Sequence, residues 1–114
     1  MKDCLFCKIL SGKIPATIEQ ENDKVIAFRD IHPQAPTHIL IIPREHISST
    51  LEINRKNANI LIEMSLLAQK IVKLEGIDKT GYRWVINTGI DGGQSVYHIH
   101  LHLLGGRKMN WPPG

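Results

Sequence analysis

One stretch of the chain, from about residue 54 to residue 75, has the apolar spacing of a long amphipathic helix. Its apolar residues recur at intervals of one, three, three, one, three and one, which places them on one helical stripe: Ile60, Leu61, Met64, Leu67, Ala68, Ile71 and Val72. Ile62 and Leu66 lie off that stripe, so a second face is also expected to be covered, and a partner chain could supply the cover. Gly76 is expected to cap the C-terminus of the helix.

The other apolar stretches are short. A short helix is predicted over residues 5–10, and strands are predicted over residues 24–29, 38–42, 82–87 and 96–104. Prolines between residues 30 and 36 deny the backbone the donors that a strand ladder needs, which predicts a loop there. One long helix among several strands, without regular alternation of strand and helix, predicts an α+β fold with a largely antiparallel sheet. The chain length fits one domain over residues 1–114.

Charge and hydropathy narrow the classes of function. The net charge of +3 suits an anionic ligand, but it is too modest and too evenly spread for a nucleic-acid binding face. No stretch approaches the roughly 20 apolar residues of a membrane span. The first seven residues carry charge too early for a signal peptide, so we expect a cytoplasmic protein. In that compartment Cys4 and Cys7, spaced as Cys-x-x-Cys, favour a metal or redox pair over a structural disulfide.

Three histidines alternate with apolar residues in the last predicted strand. His98, His100 and His102 would share one face of that strand, with same-face neighbours roughly 6.5–7 Å apart. Burying three imidazoles costs free energy unless they are hydrogen-bonded, which disfavours a purely structural role. Two chemical interpretations remain. The histidines ligate a metal, or they act on an anion, one as nucleophile and another as a positively charged clamp.

The loop before this strand favours the anion. Gly92 and Gly93 allow the backbone to approach a ligand closely and to turn N–H groups toward an anion. Gln94 and Ser95 add side-chain donors beside the start of the strand. A turn of this composition next to three same-face histidines indicates a phosphate pocket.

The run His98-Ile99-His100-Leu101-His102-Leu103-Leu104 resembles the signature of the histidine triad (HIT) superfamily. The likeness to its nucleotide-binding branch spans nearly the whole chain except the surface of the long helix and its flanks. The further matching segments are Asp30-Ile31, residues 33–38, Ile42-Pro43, His46-Ile47, residues 81–83, Asn87, residues 92–97, residues 105–107 and residues 111–114.

This resemblance implies a HIT-like fold, with an antiparallel sheet of about five strands, the long helix and the short N-terminal helix. It implies a purine nucleoside phosphoramidase that binds AMP- or GMP-type nucleotides and hydrolyses the P–N bond of adenosine 5′-phosphoramidates and AMP–amine conjugates, without an organic cofactor. It also implies a homodimer in which Trp111 lies near the partner's active site.

The resemblance assigns the reaction to four side chains. His100 is the expected nucleophile, forming a nucleotidyl-histidine that water resolves, since neutral imidazole is largely available near pH 7. His102 would hold a phosphoryl oxygen, together with donors of the Gly93-Gln94-Ser95 backbone. His38 would orient the triad, and the Ser95 hydroxyl would relay a proton to the departing amine.

The nucleoside contacts follow from the same resemblance. Asp30 would accept hydrogen bonds from the ribose hydroxyls, Ile31 would pack against the base, and Asn87 would contact phosphate or ribose. His32 stands where relatives often carry serine, so contacts to the base edge are not transferred from the family at that position.

A second set of residues points to zinc. Many histidine triad proteins with an N-terminal Cys-x-x-Cys bind structural zinc through that pair and two histidines, which here are Cys4, Cys7, His46 and His98. Two thiolates and two imidazoles suit a closed tetrahedral site. Better-known members of the nucleotide-binding branch lack the cysteines and bind no zinc, so free thiols are the alternative. If zinc binds, His98 is a ligand and not a catalytic residue.

Three other functions share parts of this pattern. A regulatory nucleotide-binding protein would need the same pocket. A metallohydrolase would use all three triad histidines as ligands and would form no covalent adduct. Hydrolysis of dinucleoside polyphosphates belongs to a sister branch, and the loop at residues 92–95 and the C-terminal Trp-Pro-Pro-Gly favour the phosphoramidase branch over it.

Overall fold

The computed structural model describes residues 3–114. Within them lie two α-helices and five strands: α1 (Leu5–Leu10), β1 (Ile18–Glu21), β2 (Val25–Arg29), β3 (Thr37–Pro43), α2 (Asn59–Glu75), β4 (Tyr82–Val85) and β5 (Leu101–Gly105). The strands form one sheet in the order β1-β2-β3-β5-β4, and each pair of neighbours is antiparallel. This confirms the predicted α+β fold with a five-stranded antiparallel sheet.

Helix α2 covers one face of the sheet with the predicted stripe. Met64, Leu67, Ala68, Ile71 and Val72 are buried against side chains of β2, β3 and β5, and Ile60 and Leu61 pack beside them. Gly76 ends the helix in the left-handed conformation at φ +73°, where a residue without Cβ is favoured. The two residues off the stripe, Ile62 and Leu66, are each 53% exposed.

The opposite face of the sheet carries a smaller apolar cluster under α1. Phe6 of α1 packs there with Ile26 and Phe28 of β2 and with Leu40 and Ile42 of β3. β3 is therefore buried on both faces, as its nearly continuous apolar sequence predicts. This second face also carries the triad histidines.

The last strand is shorter than predicted. β5 begins at Leu101, not at residue 96, because its ladder to β3 ends at the pair Ile41–Leu101, two residues before Pro43, which has no N–H to donate. The backbone before β5 bonds elsewhere, and the N–H of Ile99 donates to the carbonyl of Ile47 at 2.6 Å. β4 ends at Val85, not at residue 87, because its pairing with β5 also ends there.

Two further differences concern local chemistry. α2 begins at Asn59, not near residue 54, because the Asn54 side chain accepts hydrogen bonds from the N–H groups of Lys56 and Asn57 and holds a turn instead. β1 was not expected, since this half-exposed edge strand is mostly polar. The helix α1 and the strands β2 and β3 match their predictions to within one residue at each end.

Within residues 3–114, no helix combines the length and the hydropathy that crossing a membrane requires.

Candidate active site and candidate metal centre

A cavity of about 290 Å³ opens beside the triad. One wall comes from α1 and the segment after it, with Leu5, Phe6 and Ile9 facing the space. A second wall comes from the end of β2 and the loop after it, and a third carries Ser95, His100 and His102. Most of the lining is apolar, with a few polar and titratable side chains among it, which is typical of a small-molecule site.

A chain of hydrogen bonds fixes the protons of two histidines. The N–H of Gln34 donates to Nδ1 of His38 at 3.0 Å, so the proton of the neutral His38 ring is on Nε2. That Nε2 lies 2.9 Å from Nδ1 of His102 and donates to it. His102 in turn carries its proton on Nε2. The backbone of one loop thus sets His102 as a hydrogen-bond donor toward any ligand at that atom.

His100 has the opposite arrangement. Its Nδ1 lies 2.9 Å from the carbonyl oxygen of His98 and donates to it, because a carbonyl can only accept. In the neutral ring, Nε2 then has no proton and presents its lone pair. The side chain is buried and lines the cavity. His100 is therefore held in the tautomer that a nucleophile requires.

Burial keeps the triad neutral. Desolvation lowers the pKa of His100 below its ordinary value, against the pull of its bond to His98 and of the Asp30 charge. Desolvation, together with the positive charges that His100 and His38 would carry, lowers the pKa of His102 to about 4. In the free protein near pH 7, His102 is thus a neutral donor, not the positively charged clamp of the sequence interpretation.

Asp30 lies at the junction of the loop and the triad. Its Oδ1 accepts from the N–H of His32 at 2.8 Å, and its Oδ2 lies 3.5 Å from Nε2 of His38. The carboxylate lines the cavity, and the neighbouring Ile31 is 84% exposed at its rim. Asp30 therefore keeps acceptor capacity for a ligand while its loop is fixed.

The glycine-rich loop is held by its own hydrogen bonds. The Gln94 amide donates to the carbonyls of Ser48 (2.7 Å) and Val96 (3.0 Å), and its oxygen accepts from the N–H of Gly89 at 3.0 Å. The backbone N–H groups of Gly93 and Gln94 also donate within the loop. The donors expected from Gln94 are therefore engaged in shaping the loop that presents Ser95 to the cavity.

Four potential metal ligands meet at the N-terminus of α1. Nδ1 of His98 lies 3.4 Å from Sγ of Cys4 and 3.6 Å from Sγ of Cys7, and Nδ1 of His46 lies 3.3 Å from Sγ of Cys7. All four ligand atoms lie within 4.8 Å of one another. Tetrahedral zinc with bonds of about 2.0–2.3 Å needs ligand atoms roughly 3.3–3.8 Å apart, so the cluster fits zinc.

A neighbouring carbonyl prepares His98 for this role. Nε2 of His98 donates to the carbonyl of Pro43 at 2.8 Å, which leaves the lone pair of Nδ1 facing the thiols. His98 thus belongs to the cysteine cluster, and His102 belongs with Asp30 and His38. The three triad histidines do not converge on one point, so the alternative in which all three ligate one metal is wrong.

A model of the HIT domain family matches residues 11–109. The chain belongs to the HIT domain family. The match confirms the resemblance to the histidine triad superfamily that the motifs carry.

Several known proteins resemble this HIT domain along its whole length. A 14 kDa zinc-binding protein of Brassica juncea is 51% identical over 114 residues, covering 98% of this chain and 100% of its own. A protein of Arabidopsis thaliana named adenylylsulfatase HINT1 is 50% identical over 112 residues, covering 96% of this chain and 76% of its own. The solved structure of a HIT family hydrolase from Legionella pneumophila Philadelphia 1 has a TM-score of 0.96 and 54% identity, covering 98% of this chain and 100% of that chain.

The HIT domain brings most of the expected site residues together. Five line the cavity: Asp30, Ile31, Ser95, His100 and His102. His38 does not line the cavity but is hydrogen-bonded to His102, which does. Asn87, Gly93 and Gln94 are not among the residues that line the cavity.

Two parts of the HIT site were not expected from the sequence. The first is the cavity wall that α1 supplies. The apolar residues Leu5, Phe6 and Ile9, on a short predicted helix beside two cysteines, could have indicated that this helix packs against the site. The backbone N–H of Gln34 was the other, and its role depends on a loop conformation that no side-chain pattern encodes.

Proposed function

We propose that this protein releases purine nucleoside monophosphates from small conjugates by hydrolysis. The principal bond cleaved is the P–N bond of adenosine 5′-phosphoramidates and AMP–amine conjugates. The observation that carries the proposal is the bond from Nδ1–H of His100 to the carbonyl of His98, which leaves Nε2 as an unprotonated nucleophile in the cavity. Its family membership and its likeness to a HIT family hydrolase support the same reaction class.

The proposed reaction has two displacement steps. Nε2 of His100 attacks phosphorus, and the P–N bond breaks as its electron pair leaves with the amine. The amine takes a proton that the Ser95 hydroxyl relays from solvent water. Water then attacks the nucleotidyl-histidine and gives up a proton to solvent, which releases the nucleoside monophosphate and restores the neutral imidazole. Nε2–H of His102 donates to a non-bridging oxygen as charge develops there.

The nucleoside lies along the rest of the cavity in this proposal. The free acceptor capacity of Asp30 serves the ribose hydroxyls, and the exposed side chain of Ile31 covers the base. Asn87 is half-buried just beyond β4 and contacts phosphate or ribose when nucleotide binds. Gly93 and Gln94 shape the loop that presents Ser95.

A second substrate class is favoured by a relative's name. The Arabidopsis relative is named an adenylylsulfatase, an enzyme that removes sulfate from an adenylyl group. His100 could attack the same phosphorus in adenylyl sulfate. Sulfate leaves as a stable anion and needs no proton, whereas an amine must be protonated as it leaves. The two substrates therefore differ in whether they need the proton that Ser95 relays.

The first experiment looks for the adduct. Mass spectrometry of protein quenched during turnover of an adenosine phosphoramidate should show an adenylyl group on His100. His100→Ala should abolish turnover and leave AMP affinity within about tenfold, since most contacts lie elsewhere. His32→Ala, which changes another histidine of the cavity lining, should keep the adduct. An adduct on a different residue, or turnover by His100→Ala, would overturn the assignment.

The second experiment separates the substrate classes. Ser95→Ala should lower the rate on the phosphoramidate by about 10²–10⁴-fold, the range for a lost proton transfer. The rate on adenylyl sulfate should change by no more than about threefold, because its leaving group needs no proton. Equal losses on both substrates would mean that Ser95 shapes the loop and does not relay a proton.

We also propose that Cys4, Cys7, His46 and His98 bind structural zinc. The distances among the four ligand atoms and the tautomer of His98 support this, as does likeness to a protein named for zinc binding. A metal with four protein ligands would tie α1 to the sheet and leave no open position for chemistry. Reduced thiolates fit the cytoplasm, which is the compartment we propose.

We further propose a homodimer. β4 is an edge strand, and it exposes Tyr82 and Trp84. Ile62 and Leu66 form an exposed apolar patch on α2. Pairing of β4 with the β4 of a second copy would extend the sheet and cover such surfaces, which single chains rarely leave open. In that dimer we place Trp111, which is 81% exposed, near the partner's nucleotide cavity.

A further inference from the structure

The candidate metal centre and the nucleotide cavity share helix α1. Phe6 lies between Cys4 and Cys7 in the sequence and is only 3% exposed. Its ring packs edge-on against the His100 imidazole, with centroids 5.0 Å apart and planes at 85°, and against His98 at 5.9 Å. Phe6 also lines the cavity. One side chain therefore contacts a metal-cluster residue, the nucleophile and the ligand space together.

A second connection passes through His98. Its Nδ1 faces the two thiols, and its backbone carbonyl accepts the hydrogen bond that fixes the tautomer of His100. The adjacent Ile99 donates its N–H to the carbonyl of Ile47, next to the cluster residue His46. Movement of the cluster would therefore displace the carbonyl that orients the nucleophile.

Helix α1 cannot hold this position by itself. It has six residues, far fewer than the roughly 12–15 that an isolated helix needs to be even marginally stable. Its N-cap is Cys4, whose Sγ accepts from the N–H of Cys7 at 3.3 Å. Two of the four residues that would bind the metal, Cys4 and Cys7, therefore lie at the start of the helix, so loss of the metal would loosen the cavity wall that α1 supplies.

We propose that metal binding at Cys4, Cys7, His46 and His98 and nucleotide binding in the cavity are coupled, with Phe6 as the positioning residue between them. The proposal rests on the nucleotide site and the zinc site proposed above, and it adds regulation: the metal sets the affinity for nucleotide as well as stability. Coupling between two binding sites is reciprocal, so nucleotide must tighten metal binding by the same factor.

The test measures both sides of this linkage, neither of which requires turnover. Calorimetric titration with AMP should give a Kd about tenfold higher for metal-free than for zinc-loaded protein, within the usual range of such couplings. Chelator competition should give a Kd for zinc about tenfold lower with saturating AMP than without it. Circular dichroism establishes that the metal-free protein remains folded.

Two phenylalanines of the cavity provide matched variants. Phe28 also lines the cavity and contacts Phe6 at 5.6 Å, but it lies on β2 outside the metal cluster. Phe28→Leu should weaken AMP binding and keep the tenfold effect of saturating AMP on zinc affinity. Phe6→Leu should still bind zinc, but the effect of AMP on zinc affinity should fall below about threefold. Both variants are compared under conditions in which circular dichroism shows the metal-free protein to be folded, because an unfolded metal-free chain would not bind AMP and would couple zinc to AMP in every variant.

The outcomes are distinct. AMP affinities that agree within twofold for folded zinc-loaded and metal-free protein would overturn the coupling and leave the nucleotide site standing. Equal effects of AMP on zinc affinity in Phe6→Leu and Phe28→Leu would overturn the role of Phe6. Failure of zinc-loaded protein to bind AMP, or of the protein to bind zinc, would refute the underlying site and the coupling with it.

Discussion

Acid should destabilise this protein through His102, because burial lowers the pKa of its folded imidazole to about 4 from an ordinary value near 6.5. Between those two values the unfolded chain binds a proton that the folded protein excludes. The stability contribution of the neutral ring is therefore fully present above about pH 6.5 and is lost as the pH falls toward 4.

The size of the effect follows from the unfolded pKa and the assay pH. At about pH 5 the unfolded imidazole is protonated and the folded one is mostly neutral. The free energy of unfolding has therefore fallen over about 1.5 pH units, from the unfolded pKa near 6.5 to pH 5. At 1.36 kcal/mol per unit this is about 2 kcal/mol relative to pH 7.5. His102 is only partly buried, so solvent screening reduces the expected value to about 1–2 kcal/mol.

Urea unfolding at about pH 7.5 and pH 5 measures this loss for wild type and for His102→Asn, which cannot titrate. The variant should lose about 1–2 kcal/mol less than wild type between the two pH values, whatever its stability at pH 7.5. Losses from the metal ligands are common to both proteins and cancel, and the difference also contains the change that the substitution makes in the titration of the neighbours His38 and His100. His32→Asn, a change at an exposed loop position, should lose as much as wild type. Equal losses in His102→Asn and wild type would refute the reasoning.

Three further predictions concern the nucleotide, the metal and the dimer. Asp30→Ala should weaken AMP binding by roughly 1.5–3 kcal/mol in calorimetry but 2′,3′-dideoxy-AMP binding much less, and equal losses would assign Asp30 to the loop alone. Cys4→Ser with Cys7→Ser should remove about one zinc per chain and several kcal/mol of stability, and unchanged metal content and melting temperature would contradict the zinc site. Leu66→Lys should convert a dimer to a monomer in sedimentation equilibrium while Leu51→Lys, another exposed leucine, does not, and a wild-type monomer would contradict the dimer.

Local patterns were sufficient to predict both helices and four of the five strands, because they show which side chains avoid water; the mostly polar β1 was missed. The stripe along α2 and the apolar run of β3 are such patterns, and both lie where they were predicted. Element ends were less predictable. The start of β5 depends on where its pairing with β3, which is distant in the sequence, stops near Pro43, and the start of α2 depends on which backbone donors the Asn54 side chain engages.

The sequence by itself determined the family and the residue types of the candidate site, because histidines, cysteines and glycines at these spacings are specific residue types whose chemistry does not depend on the fold. Only the tertiary structure decided the direction and the tautomer of each histidine. His98 turns to the thiols, while His100 and His102 face the cavity with opposite tautomers. The carbonyls of Pro43 and His98 set the tautomers of His98 and His100. The N–H of Gln34, acting through His38, sets the tautomer of His102. Backbone carbonyl and N–H groups recur along the whole chain, so the sequence does not indicate which of them will contact a given histidine. Their positions follow only from folding.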